Sequence, residues 1–145
     1  MDGKETAGTR ILVVEDDDDT RILLRRLLEG EGYTVAEAAD GRQAVETART
    51  QCPDLILMDL NLPGVDGVEA TRIISEMREL CVVPVIAVTA MDPDEYRQRA
   101  LLAGCNNYVL KPPEPELLLE KVRALLEAGR AARLAAGLMA AMHAG

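Results

Sequence analysis

A chain of 145 residues with 48% hydrophobic side chains, three tyrosines and neither phenylalanine nor tryptophan is long enough for one domain with an aliphatic core. Its net charge of −9 argues against direct binding to nucleic acid or to an anionic membrane surface, because both need clustered basic residues. The same charge favours cationic ligands, including metal ions.

The chain begins with a polar segment, and a β-branched run at residues 11–14 then predicts a buried strand. An acidic run follows at residues 15–19, in which Asp18 or Asp19 is expected to cap a helix. That helix ends at glycines within residues 30–32. Its apolar side is assigned to aliphatic residues, namely Ile22, Leu23 and Leu27, with Leu24 and Leu28 as further candidates.

Strands and helices continue to alternate through the rest of the chain. Asp40 and Asp66 each open a helix as the first residue of a capping box, with Gln43 or Glu69 reaching back. Pro93, after Asp92, suits the first position of another helix. The predicted strands are 33–36, 55–58, 84–88 and 107–110, and the predicted helices run to about residue 51, to about residue 80, to residue 104 and over about 116–128.

Strands that are apolar on both faces and separated by amphipathic helices indicate an α/β fold with a five-stranded parallel sheet covered on both sides. We expect a flexible N-terminus at residues 1–9, one domain at 10–128 and an alanine-rich tail or linker at 129–145. The tail either extends the last helix, pairs with a partner helix, links to another segment or is poorly ordered, and Gly129 and Gly137 weaken a continuous helix there.

The cysteines, Cys52, Cys81 and Cys105, form no closely spaced pair. We expect all three to be small buried residues of a protein in a reducing cytoplasm. The polar N-terminus has no apolar signal region, and no apolar run approaches the ~20 residues of a membrane span.

Reactive residues stand where four of the predicted strands end: Glu15 with Asp16, then Asp59, Thr89 and Lys111. The carboxyl ends of parallel strands meet at one edge of the sheet, where ligands of such folds bind. Three carboxylates at one place repel one another unless a cation lies between them, and oxygen donors suit Mg²⁺. Together with a lysine and a threonine for phosphate oxygens, this set is suited to phosphoryl transfer onto an aspartate.

The motifs Glu15-Asp16, Asp59, Thr89-Ala90 and Lys111-Pro112 resemble those of receiver domains of two-component signalling. The resemblance covers residues 10 to 128 and implies a flavodoxin-like, doubly wound fold with strand order 2-1-3-4-5. It also implies a switch that receives phosphate from a histidine kinase or a histidine phosphotransfer protein. Such a switch is not an enzyme, beyond catalysing its own phosphorylation and dephosphorylation.

The resemblance also assigns roles to individual residues. Asp59 would be the phosphoacceptor, while Thr89 and Lys111 would hold the phosphoryl oxygens. The Lys111–Pro112 bond would be cis. Tyr108 would be a switch residue on the face of the fourth helix, fifth strand and last helix, where a downstream protein binds. The Mg²⁺ ligands would be Asp16, Asp59 and the backbone carbonyl of Asn61, with Glu15 acting through water.

Three alternatives stay open alongside this interpretation. A hydrolase of the haloacid-dehalogenase type also uses a strand-end aspartate and Mg²⁺, but it needs a second aspartate where this chain has Asn61. A receiver that has lost phosphorylation would be a static scaffold. The chain is also compatible with a piece of a larger hybrid or multidomain regulator. Its one histidine, His143, lies in the tail, which excludes a catalytic histidine in the domain.

Overall fold

The computed structural model describes residues 8–62, 64, 66–77, 82–90, 94, 98, 101 and 103–143. Strands and helices alternate along the chain as far as residue 89, as the apolar patterns predicted, and most of residues 91–102, where a further helix was predicted, lie outside the described residues. In chain order the elements are β1 Arg10–Val14, α1 Asp18–Gly30, β2 Thr34–Ala38, α2 Gly41–Gln51, β3 Leu55–Asp59, α3 Gly67–Glu76, β4 Val85–Thr89, β5 Asn107–Leu110 and α4 Pro115–His143.

The strands form one parallel sheet in the order β2-β1-β3-β4-β5. This confirms the parallel α/β fold and the strand order that the family resemblance implied. The order places β1 and β3 side by side, with Val14 opposite Met58. The residues that follow β1 therefore lie beside the end of β3.

Two hydrophobic cores lie on opposite faces of the sheet. Successive residues of a strand face opposite sides, so β1 places Leu12 and Val14 in one core and Ile11 and Val13 in the other. Helices α2 and α3 cover the first core, and α1 and α4 cover the second. The strands β1, β3 and β4 thus read as apolar runs because both of their faces are buried, whereas the edge strands β2 and β5 are more exposed.

Helix α1 differs from the prediction in its cap and in its buried side. The cap is Asp17, whose carboxylate accepts hydrogen bonds from the backbone N–H (2.9 Å) and the hydroxyl (2.6 Å) of Thr20. The expectation of Asp18 or Asp19 was wrong, since both lie inside the first turn. Leu24 and Leu28 are buried, whereas Leu23 is 66% exposed because it points away from the sheet.

The caps of α2 and α3 are confirmed at Asp40 and Asp66, each of which accepts from the backbone N–H three residues later at 2.8 Å. The second hydrogen bond of each predicted capping box, from the cap's backbone N–H to Gln43 or Glu69, is not the one that the structure shows. Gln43 accepts from the backbone N–H of Ala39 rather than from that of Asp40. Glu69 instead pairs with an arginine on its own helix. Helix α3 ends at Glu76, earlier than predicted.

Replacement of Asp40 by alanine is expected to lower the free energy of unfolding by about 1 kcal/mol, because the first turn of α2 loses its capping acceptor. Urea unfolding followed by circular dichroism measures this change. Asp40→Asn is the control, since asparagine caps equally well. An equal loss in both variants would show that the charge of Asp40 matters rather than its cap.

The last helix, α4, continues to His143, so the predicted end near residue 128 was wrong. Of the alternatives for the tail, the structure shows an extension of the last helix, so the expectation of a poorly ordered tail was wrong. Gly129 and Gly137 are tolerated because alanines, the best helix formers, surround them. The extension exposes four large apolar side chains, Leu134, Leu138, Met139 and Met142.

The two described cysteines have different environments. Cys105 is buried as predicted, and burial raises the pKa of its thiol to about 11. Cys52 is exposed, contrary to prediction, because it caps the end of α2 in the left-handed conformation with a φ of 48°.

Several predictions lie outside the described residues, namely Cys81, the start of a helix at Asp92–Pro93, the segment around residue 80 and residues 1–7 of the N-terminus. Among the residues that are described, no helix combines the length and apolarity that a membrane crossing requires.

Candidate functional site

The carboxyl ends of β1 and β3 bring three acidic side chains together. Glu15 and Asp16 follow β1 directly, and Asp59 is the last residue of β3. One carboxylate oxygen from each of them lies within 4.8 Å of the others. Glu15 and Asp59 are buried, whereas Asp16 is exposed. The site therefore has a closed floor and one open side, at the switch point of the sheet, where ligands of such folds bind.

Lys111 is the cation of this cluster. Its Nζ lies 2.5 Å from Glu15 Oε1 and 3.0 Å from Asp59 Oδ2. Its backbone N–H donates to the carbonyl of Thr89 at 2.9 Å, which links the residue after β5 to the end of β4. The carboxyl ends of β1, β3 and β5 therefore meet at the ammonium group of Lys111.

The electrostatics of the cluster follow from burial and from these contacts. Burial raises the pKa of Glu15, and the nearby charge of Asp59 adds to this, although Lys111 opposes it. Burial alone would lower the pKa of Lys111, but the close contacts of its ammonium group with the carboxylates of Glu15 and Asp59 outweigh it and raise that pKa. One ammonium group thus compensates three carboxylates only partly, and the cluster retains negative charge.

The donor set fits a hard divalent cation. Glu15 Oε1 is buried and, although it lies close to Lys111 Nζ, it accepts no well-directed hydrogen bond from the described residues. Oxygen-only donors around an open side are the arrangement that Mg²⁺ and similar ions prefer. A cation beside Asp16 and Asp59 would also relieve the repulsion between their carboxylates.

The other predicted site residues lie around this cluster. Asn61, two residues after β3, donates its backbone N–H to Asp59 Oδ1 at 3.0 Å. Thr89 is fully buried at the end of β4 and lies opposite Leu110 in the sheet. The Lys111–Pro112 peptide bond is cis.

Tyr108 lies in β5, away from the carboxylates and opposite Ala87 in the sheet. It is partly buried and packs against the first core. Lys121 on α4 donates to the carbonyl of Tyr108 at 3.0 Å. Tyr108 also lines an open groove of about 330 Å³, together with Leu110 and Leu117. Both leucines are nearly half exposed, so an apolar surface stands beside this tyrosine.

Gly67 is a site residue that the sequence analysis did not single out. A Cβ atom built on it would lie 2.0 Å from the carbonyl oxygen of Asp59 and 2.6 Å from the Cα of Leu60. The first residue of α3 therefore packs directly against the backbone that carries Asp59. The available signal was a glycine directly after a helix cap, where a better helix former would be usual.

The comparisons with known proteins agree with this geometry. The family model described as the response regulator receiver domain matches residues 11–123. The transcriptional regulatory protein ResD of Bacillus subtilis (strain 168) is 39% identical over 122 residues, which cover 84% of this chain and 50% of ResD. The polar-differentiation response regulator DivK of Brucella ovis is 37% identical over 116 residues, which cover 80% of this chain and 94% of DivK. The chain thus spans about half the length of ResD and most of DivK.

A solved structure shares both the fold and the sequence pattern. It is the receiver domain of the sensor histidine kinase PA1611 from Pseudomonas aeruginosa PAO1, described with a magnesium ion coordinated in its active site cleft. It is 39% identical, has a TM-score of 0.78, and the match covers 83% of this chain and 99% of that domain. With an acidic cluster at the switch point of a 2-1-3-4-5 sheet and this match over most of its length, the chain belongs to the family of response regulator receiver domains of two-component signalling.

Proposed function

We propose that this chain is a phosphorylation-activated switch, in which Asp59 accepts a phosphoryl group from a phosphohistidine of a histidine kinase or phosphotransfer protein. The observation that carries the proposal is the position of Asp59. Its carboxylate is buried at the switch point, contacts Lys111 at 3.0 Å and lies beside the carboxylates of Glu15 and Asp16. A nucleophile in such a site needs positioning and charge neutralisation, which are the main demands of phosphoryl transfer.

The reaction forms one bond and breaks one. A carboxylate oxygen of Asp59 attacks the phosphorus atom, and the bond from phosphorus to the imidazole nitrogen breaks. The bonding pair goes to the imidazole, which leaves as the neutral ring after it takes up a proton. The product is an acyl phosphate on Asp59, whose phosphoryl group carries about −1.5 to −2 units of charge in place of the single negative charge of the carboxylate.

Mg²⁺ is the cofactor that this donor set would hold. Asp16, Asp59 and the backbone carbonyl of Asn61 would bind it directly, and Glu15 would act through water. When bound, the ion would offset the negative charge of the carboxylates and of the incoming phosphoryl group. The magnesium ion described for the PA1611 receiver domain supports this assignment.

Two further side chains would hold the phosphoryl oxygens. Lys111 already contacts Asp59, so its ammonium group is placed to pair with a phosphoryl oxygen in the same position. Thr89 would donate its hydroxyl from the end of β4. We propose that Thr89 and Tyr108 act as the switch. Phosphorylation would then change the surface around the groove that Tyr108 lines.

The output of the switch would be a protein partner that reads this surface. The net charge of −9 does not favour nucleic acid as the partner of this chain. We assign it no catalysis beyond its own phosphorylation and dephosphorylation. A cytoplasmic location fits the free thiols of Cys52 and Cys105.

Incubation with acetyl phosphate and Mg²⁺ is expected to add one phosphoryl group to the wild-type chain, detected by intact mass. Asp59→Asn should lose the adduct completely, because the amide is not a nucleophile for phosphorus. Asp19→Asn, in the exposed acidic run, is the matched control and should keep it. A chelator should abolish the reaction.

An adduct that persists in Asp59→Asn would assign the acceptor to another carboxylate. A wild-type chain that gains neither a phosphoryl group nor a stable beryllofluoride complex would be a scaffold that retains the motif without the reaction.

A further inference from the structure

Arg21, in the first turns of α1, connects the acidic loop of the site to strand β2. Its Nη1 donates to the backbone carbonyl of Glu15 at 2.8 Å. Its Nε donates to Glu37 Oε1 on β2 at 3.0 Å, and its Nη2 donates to Asp18 Oδ1 at 2.6 Å. The side chain is only 16% exposed. One guanidinium group therefore reaches three acceptors in three different elements.

Both backbone polar groups of Glu15 are linked to β2, the N–H directly and the carbonyl through Arg21. The N–H of Glu15 donates to the carbonyl of Ala38 at 3.0 Å, which extends the sheet one residue beyond β1. Its own carbonyl accepts from Arg21, which is anchored on Glu37, the residue before Ala38. Without Arg21 the carbonyl of Glu15 would lose its described hydrogen-bond donor. The peptide that joins Glu15 to Asp16 would then be held less firmly.

We propose that Arg21 is a positioning residue for the cation site, because it fixes the peptide that joins Glu15 to Asp16. This inference rests on the proposed function, since it assumes that Asp16 and Asp59 hold Mg²⁺. The planar, rigid fork of arginine suits the task, because it satisfies a loop carbonyl and a strand carboxylate at the same time. Groups that orient metal ligands typically change metal affinity by about 10- to 100-fold when removed.

Arg25 provides a matched comparison on the same helix. Its Nη1 donates to the other oxygen of Glu37 at 2.8 Å, so it shares the anchor of Arg21. It also pairs with Glu29 at 3.7 Å rather than with the loop. The two arginines have the same charge and both contact Glu37 on β2. They differ in that the hydrogen bond described to the Glu15 carbonyl comes from Arg21.

The sign of the effect separates positioning from simple charge. Arg21 is a cation near an acidic cluster, so loss of its charge alone would strengthen the binding of Mg²⁺. Loss of positioning would weaken it, because Asp16 would no longer be held at the site. The two explanations therefore predict opposite changes in the dissociation constant.

The experiment is a titration of the full chain with Mg²⁺ alone, followed by the NMR shifts of the amides of Asp16 and Asp59. We expect Arg21→Met to raise the dissociation constant about tenfold. Arg25→Met should stay within about twofold of the wild type or bind slightly more tightly. Arg21→Lys, which keeps the charge and loses the fork, should also bind more weakly than the wild type. At saturating Mg²⁺, the rate of phosphorylation by acetyl phosphate should recover in both Arg21 variants.

An unchanged or lower dissociation constant in the Arg21 variants, with normal binding by the wild type, would overturn the inference and leave the proposed function standing. Equal weakening in Arg21→Met and Arg25→Met would also overturn it, because the Glu37 contact would then explain the effect. A wild-type chain that binds no Mg²⁺ would instead overturn the proposed function itself. Circular dichroism in chelator establishes that each variant is folded, and if Arg21→Met does not fold, Arg21→Lys decides the question.

Discussion

Replacement of Gly67 by alanine is expected to destabilise the domain by about 3 kcal/mol, at the upper end of the usual cost of overpacking. The added Cβ would lie 2.0 Å from the carbonyl oxygen of Asp59 and 2.8 Å from its carbonyl carbon. These are backbone atoms of a central strand, which cannot turn aside as a flexible side chain can. The first turn of α3 or the end of β3 must move instead.

The same movement reaches the phosphorylation site. Because Gly67 presses on the peptide that carries Asp59, we expect Gly67→Ala to accept less phosphoryl group from acetyl phosphate even where it stays folded. Urea unfolding by circular dichroism measures the stability, and intact mass measures the adduct.

Gly137→Ala is the matched control for this prediction. Nothing lies within 4 Å of a Cβ built on Gly137, and the residue is in the interior of α4. Alanine there should not lower stability, because it is the better helix former. A Gly67→Ala variant that is as stable as Gly137→Ala would contradict the close approach seen between α3 and β3.

Replacement of Lys111 by methionine should cost about 3 kcal/mol at neutral pH in the presence of chelator. Glu15 and Asp59 have side chains that are only 2% and 4% exposed, and both contact this ammonium group. Methionine would leave two buried carboxylates side by side without their counter-charge. Breaking a buried pair from one side is costly because the remaining charge stays desolvated.

The loss should depend on pH in a defined direction. Burial already raises the pKa of Glu15, and removal of Lys111 takes away an interaction that opposes this rise. A carboxyl whose pKa is higher in the folded chain binds its proton more tightly there, so stability falls as pH rises from the ordinary range of Glu to the raised pKa. The deficit of Lys111→Met should therefore shrink as the pH is lowered through that window, and added Mg²⁺ should also reduce it.

Lys121→Met serves as the control, because the acceptors of Lys121 among the described residues are the neutral oxygens of Asn107 and Tyr108. Its cost should be smaller and nearly independent of pH. If both variants lose the same stability at every pH, the ammonium group of Lys111 does not compensate the cluster.

Some parts of the fold and of the site could be predicted from the sequence because they depend on local patterns. Short runs rich in aliphatic and β-branched residues located all five strands, and Asp59, Thr89 and Lys111 stand where three of those runs end. The caps at Asp40 and Asp66 followed from spacing alone, since a cap and the backbone N–H that donates to it lie within one turn.

Other parts were out of reach because neighbouring residues look equivalent in the sequence. Three consecutive aspartates could cap α1, and the choice of Asp17 follows from where the tertiary structure ends β1 and anchors Glu15 to β2. Leu23 and Leu24 are chemically identical, and the direction of the sheet decides which is buried. Cys52 is exposed because it ends α2 at the surface.

The sequence by itself determined the alternation of strands and helices, the acidic and basic residues at the strand ends and the family resemblance that these carry. The tertiary structure decided that Glu15, Asp16 and Asp59 meet within 4.8 Å, that Gly67 supports the backbone of Asp59 and that Arg21 holds the carbonyl of Glu15. The reason is that periodicity and capping act within a few residues of chain. Distances between remote residues depend on the order in which the strands pair and on how the helices pack against them.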